Sequence, residues 1–241
     1  MTQELKALVA TAATIGFFHT LFGPDHYLPF IMMSWARKWS TAKTLLITFV
    51  CALGHIGSSI VLGLLGVALG LAVKGLVDIE SVRGNLAAWL LIAFGLAYFV
   101  WGIRLVYRKK PHQHVHPHPH HEGAAHPHLH PHTHLGEHTH VHDMEAGKTL
   151  TPWVLFVIFV FGPCEPLIPL LMYPAAETGF WDLAIVTAVF GGATTATMLA
   201  VVMLGKAGVD FVPFQKVQRY SHALAGASIL LCGLAIQFLG L

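Results

Sequence analysis

HTLFGPDHYLP (His19–Pro29) and FGPCEPLIPLL (Phe161–Leu171) decide the architecture, because each puts Gly-Pro in the middle of a long apolar run. Proline cannot donate a backbone hydrogen bond, and its ring clashes with the preceding turn, so a helix breaks there. Broken helices inside a membrane are tolerated only where they are buried in protein or line a cavity. The two stretches are also copies of one another. Phe22-Gly23-Pro24 recurs as Phe161-Gly162-Pro163, 139 residues on. Gly54 is matched by Gly191, 137 on, and Gly95-Leu96-Ala97 by Gly233-Leu234-Ala235, 138 on, with Gly102 and Gly240 in that last register. Three matches in order at nearly one offset indicate a duplicated unit.

Working outward, the apolar runs predict six transmembrane spans, near 7–35, 44–73, 86–107, 150–173, 181–204 and 223–241, with an interfacial stretch near 209–220. About 20 helical residues cross the hydrocarbon core. The fold expected is therefore an all-α membrane protein. Residues 1–107 form the first three-helix repeat, 108–149 a cytoplasmic His-rich disordered loop, and 150–241 the second repeat. A three-helix unit is odd, so the second copy enters from the opposite face, giving the inverted repeat common among secondary transporters. The chain is 55% hydrophobic and 11% charged, against roughly 25% charged in soluble domains. A net charge of +2 gives no reason to expect a nucleic-acid partner. Cys51, Cys164 and Cys232 all lie in apolar runs and do not read as a secreted disulfide framework. No cleavable signal peptide is expected, since the first apolar run continues past signal-peptide length.

Four groups of residues could carry chemistry. His19, Asp25 and His26 flank the first break. In an unbroken helix the two histidines would lie about 10 Å apart along the axis, so the break is what could bring them to one ion. The alternative is that Asp25 only caps the second half-helix. Cys164 and Glu165 occupy the matching place in the second half, and could face Asp25 and His26 across the pseudo-twofold axis. Their alternative is an inert buried thiol beside a capping glutamate. His55 lies mid-span in ALGHIGSS (Ala52–Ser59), where an imidazole needs a partner, whereas Ser58 and Ser59 read as helix-packing residues. The fourth group is the loop. Its histidines are His112, His114, His116, His118, His120, His121, His126, His128, His130, His132, His134, His138, His140 and His142. This composition cannot build a core and reads as a metal-binding tract. His222 reads as an interfacial residue. Imidazole and thiolate suit nickel, cobalt, zinc or copper. The ion would be cargo, and no resident cofactor and no enzymatic activity are expected.

His19 to His26 resembles the signature of the nickel/cobalt transporter superfamily, a histidine followed shortly by Asp-His in a membrane helix. Five residues separate His19 from Asp25 here, where the commonest signature has four. GHIGSS resembles that superfamily's second histidine motif. The chain is also similar to urease-accessory and sulfite-exporter-type membrane proteins, and FGPCEPLIP resembles the Pro-flanked cysteine site of cytochrome c biogenesis thiol transporters. The resemblance covers nearly all six spans, although only these short motifs are specific. It implies that His19, Asp25, His26 and His55 handle metal, and the His-rich loop resembles those of the family's metal exporters.

The function expected is transport of a divalent transition-metal ion. Efflux is favoured over uptake, protons are a candidate coupling ion, and Asp25 and Glu165 are candidate carriers. The alternative is a transmembrane thiol–disulfide electron conduit. That chemistry needs a pair of cysteines, and the first repeat has Asp25 where the second has Cys164. A multi-pass protein of a bacterial inner (plasma) membrane is expected, with the bilayer and the metal ion as partners and an oligomer conceivable. Arg37, Lys38, Lys43, Arg104, Arg108, Lys109, Lys110, Lys148, Lys206, Lys216 and Arg219 fall on one side, and only Lys6, Lys74 and Arg83 on the other. The positive-inside rule then puts both termini outside the cytoplasm. A reporter active only in the cytoplasm, fused after Leu241, is expected to be silent. A strong signal would invert the topology.

Overall fold

Thr2 starts the first helix, its hydroxyl accepting the Leu5 N–H at 3.1 Å, as N-cap residues do. In the computed structural model, residues 2–70, 72–108, 112–116, 128–132, 146–177, 179–211 and 217–240 are described. Helix α1 (Gln3–Phe22) stops at Gly23, and a 3-10 turn (Pro24–His26) leads into α2 (Leu28–Ala36). Ser40 caps α3 (Thr41–Ala68), accepting from Lys43 N. Helix α4 is Val73–Arg108. The second half follows the same plan. Helices α5 (Ala146–Phe161) and α6 (Leu167–Glu177) flank the second break, then come α7 (Phe180–Phe211) and α8 (Ser221–Leu239).

Five helices, α1, α3, α4, α7 and α8, are long and apolar enough to cross a membrane. The apolar part of α5 (Leu150–Phe161) is shorter. Large apolar side chains are exposed around the bundle, with Phe22 at 71%, Trp181 at 78% and Phe238 at 69%. A soluble monomer rarely shows so much apolar surface, and the chain is an integral membrane protein by this criterion.

Several of the helix contacts correspond between the two halves, although among the described residues α4 packs on α5 without a comparable contact between α1 and α8. Helix α1 packs on α7 as α5 packs on α3. Helix α2 touches α7 and α8, while α6 touches α3 and α4. Helices α3 and α7 meet, and α4 and α8 make the most extensive contact in the molecule. The α4–α8 contact relies on glycine. A Cβ on Gly95 would run into backbone atoms of Leu230, and one on Gly226 into those of Phe99. Small residues allow such close approach, and in lipid that packing replaces the hydrophobic drive between helices. The core divides into two buried clusters. One surrounds Phe30, Met33, Phe159 and Met198, and the other surrounds Leu167, Val186 and Phe190.

Helix α4 begins well before the span expected near residue 86, so the stretch carrying Lys74, Glu80 and Arg83 is helical rather than loop. Within the His-rich segment, the backbone of β1 (His112–His116) pairs antiparallel with β2 (His128–His132), His112 opposite His132 and His116 opposite His128. Absence of regular structure was the expectation for the whole loop. Over these two strands the His-x-His alternation instead has the period of a strand. The other loop histidines, His118, His120, His121, His126, His134, His138, His140 and His142, lie outside the described residues.

Gly226→Leu is expected to separate α4 from α8 and lower the thermal unfolding midpoint of the detergent-solubilised protein. Overpacking costs about 1–3 kcal/mol or more, and here the obstacle is backbone. Gly57→Ala, on open space, is expected to leave the midpoint within about 0.5 kcal/mol of unchanged.

Candidate metal centre

The first break folds the chain back on itself. The Gly23 N–H still reaches the His19 carbonyl at 3.1 Å, but Pro24 has no N–H to continue the ladder. The His26 N–H turns to Gly23 O at 3.0 Å, and the Tyr27 hydroxyl donates to the Leu21 carbonyl at 3.4 Å. This tight turn lays the His26 ring over Gly23. A Cβ at Gly23 would stand 2.5 Å from His26 Nδ1 and 3.0 Å from Asp25 Oδ1, so only glycine fits. The His19 and His26 rings, separated by a turn of broken helix, come to 4.8 Å between centroids.

His55 completes the group from α3. Its ring lies 5.1 Å from that of His26 and 6.5 Å from that of His19. The second break provides the space. Gly162 lies against His55, where a Cβ would come 3.1 Å from Nδ1. One ligand nitrogen from each of His19, His26 and His55 lies within 4.8 Å of the others. In a tetrahedral site with metal–nitrogen bonds of about 2.0–2.1 Å, nitrogens stand about 3.3 Å apart, so a modest inward turn of the rings closes the set.

The hydrogen bonding of these rings is incomplete. His26 Nδ1 lies 3.2 Å from both Gly23 O and Asp25 Oδ1. Both neighbours are acceptors, so Nδ1 is the donor of this pair of contacts. Among the described residues, His26 Nε2, His19 Nε2 and both nitrogens of His55 are buried without a hydrogen-bond partner, although the Phe159 carbonyl lies near His55. Buried polar atoms are normally satisfied, and these converging imidazole nitrogens form a donor set of the kind that could hold a metal ion. They face a cavity of about 480 Å³ reaching from Thr14 past His19 to Asp25, with Ala87, Ala88 and Leu91 of α4 on its far wall.

Asp25 lines this cavity but turns its carboxylate to His26 rather than capping α2, which has no side-chain cap. Carboxylates commonly fix metal-binding histidines in this way.

Cys164 and Glu165 do not join the group. Cys164 is fully buried in the apolar cluster around Phe190, and Glu165 is exposed. The second break contributes Gly162, Pro163 and Pro166 to the cavity wall instead. The two breaks meet at one cavity, but the similarity of their sequences does not make their side chains point alike. Cys51 sits in the other core cluster, and the three cysteines are free and buried. His222 is held by Tyr98, with Nδ1 and the hydroxyl 2.8 Å apart.

The sequence reading missed Glu80 and Arg83, taken there for loop residues. Glu80 is fully buried and pairs with Arg83 at 2.5 Å. Their spacing of three on a helix (Glu80-Ser-Val-Arg83) was the available signal. No family model, curated protein or solved structure matches the chain.

Asp25→Asn keeps the shape but presents an amide to His26 Nδ1, and is expected to weaken metal binding about 10–100-fold. Isothermal titration of nickel against the wild type and Asp25→Asn checks this, with His118→Ala as a loop control expected to leave the high-affinity phase alone.

Proposed function

We propose that this chain moves a divalent transition-metal ion across the membrane, with His19, His26 and His55 as the ligands of the transport site. The observation that carries the reading is the convergence of two buried imidazoles and one half-buried imidazole, with His19 Nε2, His26 Nε2 and both nitrogens of His55 buried and without a hydrogen-bond partner among the described residues. Neutral imidazoles prefer borderline ions, which makes nickel and cobalt the leading cargoes and zinc and copper the next. Ionisable groups within a membrane protein are rare and face the interior, where they mark ion pathways.

The pairing of helices across the halves supports the inverted-repeat architecture. In that architecture α1–α2 and α5–α6 are the two broken spans, and α3, α4, α7 and α8 bring the total to six. Two breaks meeting at one cavity is the arrangement by which inverted-repeat transporters build a site near the bilayer centre. Orientation by Lys and Arg places the His-rich segment in the cytoplasm, where it would collect ions for efflux. The thiol conduit loses support, because Cys164 and Cys51 belong to separate core clusters.

Purified protein in sealed proteoliposomes, loaded with a metal-sensitive dye, tests the proposal. Nickel or cobalt flux is expected for the wild type. His26→Ala and His55→Ala are each expected to reduce it at least tenfold, and Cys164→Ser to retain it. Undiminished flux in both histidine variants would refute the site, and loss of flux in Cys164→Ser alone would revive the thiol reading.

A further inference from the structure

A guanidinium is the best-connected side chain near the metal centre, and nothing in the transport reading uses it. Arg83 Nη1 donates to Glu80 Oε1 at 2.5 Å and to Ser59 Oγ at 3.3 Å. Its Nη2 donates to Ser58 Oγ at 2.7 Å, to the Val160 carbonyl at 2.8 Å and to the Gly162 carbonyl at 3.3 Å. The partners come from three places: α4 itself, α3, and the end of α5 where the second break begins. The Glu80 carboxylate meanwhile accepts the Cys164 N–H at 3.3 Å.

These partners form a recognisable set. Carbonyls freed by a helix break, hydroxyls and a carboxylate are the oxygens that hold a small cation in inverted-repeat transporters. Here the chain supplies the cation itself. We infer that Arg83, held by Glu80, is a positioning residue for the metal site, a tethered cation that sets His55 against the second helix break.

Two routes connect Arg83 to His55. Through α3, the Ser58 hydroxyl that accepts from Arg83 donates to the His55 carbonyl at 2.8 Å. Through the break, Arg83 binds the carbonyl of Gly162, the residue packed against the His55 ring. The guanidinium thus fixes both the backbone that carries the imidazole and the surface it rests on. Gly84, the next residue of α4, packs on Pro163, where a Cβ would come 2.9 Å from Cγ, and seats the same wall from the other side. Lysine cannot substitute. Its ammonium is a point charge without the planar fork that reaches hydroxyls, carboxylate and carbonyls together. The pair is also the chain's answer to the second proline break, whose carbonyls have no counterpart of Tyr27 to satisfy them.

This inference rests on the transport-site reading, and cobalt titration of the purified full-length chain separates the two. Cobalt absorption reports ligand number and geometry. The signal belonging to the site is the difference between the wild type and His19→Ala/His26→Ala/His55→Ala, which share the same loop. Arg83→Lys is expected to weaken that difference signal about 10–100-fold and to shift its band shape. Arg83→Ala is expected to do the same, with partial recovery on adding millimolar guanidinium but none on adding sodium. Thermal unfolding measured in parallel identifies variants that fold. Should the single variants fail to fold, Glu80→Gln/Arg83→Gln removes both charges together and is expected to fold with the same loss of cobalt affinity. An unchanged cobalt signal in any folded Arg83 variant would overturn the inference and leave the transport site standing. Absence of a difference signal in the wild type would overturn both.

Discussion

A proline inside a membrane-embedded helix removes a hydrogen bond that no water is present to replace, and the organisation of this molecule follows from satisfying two such breaks. Unsatisfied backbone groups in lipid cost several kcal/mol each. The first break is satisfied locally, by the Tyr27 hydroxyl on Leu21 and by His26 turning back to Gly23. The second is satisfied from a distance, by Glu80 and Arg83 reaching from α4. Both solutions place ionisable side chains beside an interrupted helix, and both converge on one cavity. The first brings His19 and His26 together, while the second supplies the wall against which His55 rests.

That division of labour breaks the symmetry of the two halves. Several helix contacts correspond between the halves, with α4 against α8 and α1–α7 matched by α3–α5. The chemistry is not repeated. The first half provides every histidine of the centre and also the charged pair that steadies the second. The second half contributes shape, through Gly162, Pro163 and Pro166.

Much of this was legible in the sequence. The Gly-Pro interruptions, His19, Asp25, His26 and mid-helix His55 are conspicuous because polar residues in apolar runs are costly, and the structure gathers all four around one cavity. The role of Asp25 was less accessible. Whether a carboxylate touches a metal or a neighbouring imidazole depends on a rotamer at a tight turn. Cys164 and Glu165 were placed by analogy between the halves, and the analogy fails at the level of side-chain direction. Arg83 was misread because a charge before an apolar run looks like a loop residue facing water. Only tertiary contact with Ser58, Ser59 and the α5 terminus makes it an interior group. The His-rich segment stands out by composition, while its paired strands depend on a register that composition does not encode.

The central claim is that His19, His26 and His55 bind a transition-metal ion inside the membrane domain. Anomalous diffraction from crystals of the full chain soaked in nickel, with data on both sides of the nickel absorption edge, tests it directly. A peak is predicted among the three imidazoles, at bonding distances of about 2.0–2.1 Å from their nitrogens, and it should vanish in His55→Ala. Peaks confined to the His112–His142 segment, with the imidazoles of His19, His26 and His55 unmoved and no density between them, would contradict the account.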